Sequence, residues 1–174
     1  MIGSWLEQLH AWHEFYLLVG TSAAALTGLL FVVVSIGPEI IANRSSGGVR
    51  AFVTPTMVYF ATVLVVSAFM LMPHVRPAIV ASLLLLGGLG GLGYLLWTGG
   101  YKQWRVSKLD REDGVWYVGL PVLSYLLVSA AAVAIWMGSA HGTVVLAVAM
   151  ILLLVIGIRN AWDLVIWMAR QRKP

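Results

Sequence analysis

At 174 residues, 60% of them hydrophobic and only 10% charged, the chain is too poor in charge to cover a water-facing surface, because soluble domains carry about 25% charged residues. Its mean hydropathy of +0.91 says the same. The net charge of +4 gives no case for nucleic-acid binding: "KQWRVSKLDR" interleaves bases with an aromatic, but Asp110, Glu112 and Asp113 crowd the same stretch. Cysteine is absent, which excludes disulfides and thiolate metal sites.

In chain order the first element is residues 1–14, where "WLEQLHAWHE" predicts an amphipathic helix lying at a membrane interface. Trp5, Leu9 and Trp12 form its apolar face, His13 falls within that face, and His10 and Glu14 flank it. Phe15–Ile36 follows, 22 residues without a charged side chain. At ~1.5 Å per residue this run spans roughly 33 Å, enough for a ~30 Å hydrocarbon core. Glu7 and Glu14 precede it where a secretory signal would carry positive charge, so a span is expected rather than a cleaved leader.

Four more spans are predicted, at 52–72, 78–101, 115–137 and 142–168. The end of the last stays open between Ile158 and Met168. Gly37-Pro38, "PHVRP", the charged stretch 102–114 and "GSAHG" punctuate them. The expected fold class is all-α, a single polytopic helical bundle over residues 1–174 with five transmembrane helices. With the N-terminus outside, nine Lys and Arg residues fall on the inner side and Arg76 alone on the outer. That bias predicts an outer N-terminus and a cytoplasmic C-terminus. The protein is expected in a membrane, with a bacterial inner membrane the first candidate.

Gly88–Gly93 reads "GLGGLG" and matches the dinucleotide pattern G-x-G-x-x-G. That pattern needs a strand before it and water-accessible phosphate beside it; here it lies inside an uncharged span, so no nucleotide is expected. In lipid such residues mean close helix contact. Gly87, Gly90, Gly91 and Gly93 on the third span, and Gly20, Ala24 and Gly28 on the first, predict helix packing. The readings open are packing within the chain, a homo-oligomer interface, or a pore lining.

All four histidines fall on the predicted outer side. His10, His13 and Glu14 are spaced to point at one locus, and Met70 and Met72 closely precede His74, while Met137 precedes His141. Imidazole with carboxylate suits zinc, and imidazole with thioether suits copper(I). The same residues also fit a pH-sensing cluster or a plain helix boundary. Near the far end of the last span, Arg159, Asn160 and Asp163 make either an inner gate or a snorkelling anchor. No serine or cysteine nucleophile has a base nearby. The sequence therefore predicts a small homo-oligomeric ion channel or transporter; the alternatives are a non-transporting accessory or sensor subunit and, more weakly, a metal-dependent membrane enzyme.

Overall fold

The computed structural model describes residues 2–36, 47–97 and 114–171. The stretch 98–101 of the third predicted span, and most of the basic residues behind the orientation argument, lie outside them. The described chain forms six α-helices: α1 (Ile2–Ala11), α2 (His13–Ile36), α3 (Gly47–Met70), α4 (Pro77–Leu95), α5 (Leu120–Trp136) and α6 (His141–Gln171). A π-helical turn, Val115–Gly119, leads into α5. Five helical segments are long and apolar enough to cross a membrane: 13–35, 53–70, 77–95, 115–136 and 141–166.

Helix α6 takes the middle of the bundle, with α5 along one side and α3 along the other. Beyond α5 lies α4, and beyond α3 lies α2. In space the five spans therefore run third, fourth, fifth, second, first. This order explains their burial: span five is the most enclosed and span one mostly exposed. Helices α3 and α4 follow each other in sequence but pack only lightly, because each leans on a different neighbour.

One end of the bundle gathers α1, the turn between α3 and α4, and the turn between α5 and α6. The second of these turns is short because Gly138 takes φ 74, a left-handed conformation that glycine adopts at little cost. Its N–H bonds the carbonyl of Ile135 at 3.0 Å, and that of Ser139 bonds Ala134 at 2.9 Å. Helix α1 docks here. Trp5 is 6% exposed and its Nε1 donates to the carbonyl of Val75 at 2.9 Å. The apolar face of Trp5 and Leu9 thus joins the bundle core.

Packing depends on small residues at chosen points. A Cβ on Gly157 would overlap the Phe60 ring, so α6 and α3 meet closely there. One on Gly20 would come within 2.8 Å of the Ser67 Cβ, which fixes α2 against α3. Close backbone approach matters because helices in lipid gain little from burying apolar surface and cohere by van der Waals contact.

Candidate functional site

Three groups of polar side chains could carry function. The first lies where α6 passes the π-helical turn. The Tyr117 hydroxyl donates to Oδ2 of Asp163 at 2.6 Å. The Arg159 guanidinium lies over the Trp116 ring, 4.4 Å from its centroid. Arg159 and Asp163 are a turn apart on one helix, yet among the described residues each turns to an aromatic of the neighbouring span rather than to the other. Asn160, between them, is 3% exposed.

The π-helical turn makes this possible. Within it the Leu120 N–H reaches the carbonyl of Val115, five residues back. The next rung belongs to Pro121, which has no N–H to give and whose ring crowds the preceding turn. Widening the helix relieves that crowding and swings Trp116 and Tyr117, adjacent in sequence, towards two residues of α6. Such π segments recur at functional positions.

The second group is buried mid-bundle. Tyr125 is 0% exposed and its ring lies 6.4 Å from that of Tyr59. Thr62 gives its only proton to the carbonyl of Val58 at 2.8 Å. In its 3.2 Å contact with the Tyr125 hydroxyl it must therefore accept. Gly91 leaves room for the tyrosine, since a Cβ there would overlap the Tyr125 ring, and one on Gly88 would overlap Ser129. The third and fourth spans are thus zipped by Gly88 and Gly91. At Gly28, Gly87, Gly90 and Gly93 a Cβ would meet nothing within 4 Å; Ala24 is also exposed. The small-residue sets of both spans divide between packing inwards and facing outwards.

The third group is the histidine end. His10, His13, His74 and His141 are all exposed, as is Glu14. His141 keeps to its own turn, with Nδ1 3.4 Å from the Ser139 hydroxyl. His74 has φ 57. Met70 is 2% exposed and packed in the core, whereas Met72 faces outwards. Among the described residues no three of the His, Asp and Glu side chains stand close enough together to hold a metal ion.

Sequence reasoning missed the pairings of Trp116, Tyr117 and Tyr125, and it left Gly88 out of the named packing positions although it read the run Gly88–Gly93 as helix contact. Gly88 had a findable signal: Ala81, Leu84, Gly88, Gly91 and Leu95 recur at three- and four-residue steps, and all are buried. The other three had none, because an aromatic in an apolar span reads the same whether it faces lipid or a partner.

Fold and site together define a class: among the described residues, an all-helical protein with five helices long and apolar enough to cross a membrane. Within that class no particular relative emerges. No protein-family profile matches the chain, no curated protein matches it, and no solved structure matches it.

Proposed function

We propose that this protein works by lateral association in a membrane, as a non-transporting accessory or sensor subunit. The observation that carries this reading is the filled bundle axis. Tyr16, Tyr59, Phe60, Tyr125, Leu146, Met150, Leu153 and Ile156 are all buried, and among the described residues such a core suits close helix packing better than a polar path through a single chain. The hydroxyls on the spans support the reading further. Ser22, Thr27, Ser35 and Ser82 donate to carbonyls of their own helices, four residues back, at 2.8–2.9 Å. Hydroxyls satisfied in this way suit contact with lipid or another helix better than the lining of a water-filled pore.

In this reading Gly28 on the first span and Gly90 and Gly93 on the third, all open, receive other helices. The N-terminus stands outside and the C-terminus in the cytoplasm, the orientation favoured by the Lys and Arg bias, in a membrane of the bacterial inner type. Arg159 and Asp163, anchored on Trp116 and Tyr117, mark the cytoplasmic interface.

A second reading, a homo-oligomeric channel with its pore between copies, is favoured by the same outward glycines at Gly28, Gly90 and Gly93. The deciding experiment is cation flux from proteoliposomes containing folded protein. It would be run at pH values either side of the ordinary imidazole pKa of ~6.5, with and without added zinc or copper. The accessory reading expects no flux under any of these conditions, and capture of a larger membrane partner by cross-linking in the native membrane. Flux that follows pH or metal would overturn it in favour of the channel, with the histidine end as its mouth.

A further inference from the structure

Between α3 and α4 the light packing leaves a cleft of about 390 Å³ that opens sideways. Its walls include Ala61, Thr62 and Phe69 of α3 and Val80 and Gly87 of α4, and Val128 of α5 forms its floor. Thr62 supplies the one hydroxyl among the lining side chains, and that hydroxyl is already engaged by Val58 and Tyr125. Whatever enters finds no polar group in need of a partner.

We propose that the cleft holds a hydrocarbon chain of a phospholipid from the leaflet at the His74 end, with the headgroup phosphate against Arg76. Length supports this. The α3 wall runs from Val58 to Phe69, roughly 16 Å at ~1.5 Å per residue. Half of a ~30 Å hydrocarbon core is about 15 Å, so the cleft reaches from the headgroup level to mid-bilayer and stops. Width supports it too. At about 390 Å³ spread over that length, the cleft takes a hydrocarbon chain whole, whereas an α-helix ~10 Å across would enter it only by the side chains of one face.

Charge supplies the third argument. Arg76 precedes the first residue of α4 and stands one helical turn above Val80. Its side chain is exposed, and it is the sole Lys or Arg among residues 1–36, 71–97 and 136–158. The one Lys or Arg in those stretches therefore stands above the lateral cleft, where an anionic headgroup would lie.

The inference does not depend on the accessory reading, and its test is separate. Phosphatidylglycerol would be titrated into the full chain in mild detergent and the bound stoichiometry read by native mass spectrometry. One site should fill before all others. Gly87→Leu projects into open space in the cleft and should weaken that site about tenfold. Gly90→Leu also enters open space but lies outside the lining, and should leave binding unchanged. Arg76→Gln should weaken the site for phosphatidylglycerol several-fold. Equal binding by wild type and Gly87→Leu would overturn the proposal. So would a wild-type dimer that carries no lipid and falls apart in Gly87→Leu, which would assign the cleft to a second copy.

Discussion

Tyr117 and Asp163, 46 residues apart in the chain, are joined by a 2.6 Å hydrogen bond from the phenol to the carboxylate. The bond ties the start of the fourth span to the last third of the fifth. It also gives an acid inside a long apolar helix a donor that is not a cation. Tyr117→Phe removes that donor and is expected to cost about 1.5–3 kcal/mol, the range for hydrogen bonds to charged groups. Asp163→Asn keeps an acceptor and should cost less. Equilibrium unfolding in mixed micelles measures both, and a Tyr117→Phe protein as stable as wild type would remove the bond from the list of things that hold this end together.

The Arg159–Trp116 contact makes a separate prediction. At 4.4 Å from the ring centroid, the guanidinium should couple to the indole by about 0.5–1 kcal/mol if exposed, and more where water is excluded. A double-mutant cycle with Trp116→Leu and Arg159→Gln reads the coupling directly. Strict additivity of the two losses would mean the stacking contributes nothing.

Two neighbouring glycines should respond in opposite ways. Gly91→Ala drives a methyl group into the buried Tyr125 ring, within 2.6 Å of its Cζ, and should destabilise by about 1–3 kcal/mol through overpacking. Gly90→Ala meets nothing within 4 Å; it should be neutral or gain about 0.5–1 kcal/mol of helix propensity. Equal effects at the two positions would show that the third span is rotated from the orientation described.

Trp5 holds the N-terminal helix down. Trp5→Phe keeps most of the apolar contact but takes the partner from the Val75 carbonyl, a loss of about 0.5–1.5 kcal/mol. The readout is local: amide exchange across residues 2–11 should quicken while α6 stays protected. Unchanged exchange in α1 would place its anchor elsewhere.

Much of the architecture was legible in the sequence. Apolar runs of about 20 residues have few solutions in lipid, since every backbone polar group must be satisfied within the segment; hence five long helices and short turns at "PHVRP" and "GSAHG". The amphipathic face of Trp5 and Leu9 was legible too, though it meets protein. The partner of each face was not. When a span is apolar all round, periodicity no longer separates a core-facing side from a lipid-facing one.

That difference explains what the candidate site kept hidden. Composition and spacing alone account for the helices among the described residues and for where the few charges fall, because hydrocarbon penalises charge and unpaired backbone wherever they fall in a span. Helix packing in three dimensions turns Arg159 and Asp163 to Trp116 and Tyr117, and sets Gly88 and Gly91 on α5 while Gly87 and Gly90 stay open. It also sets α3 and α4 far enough apart to leave a cleft. Those choices rest on van der Waals fit between helices, a short-range property of shape that no residue carries alone.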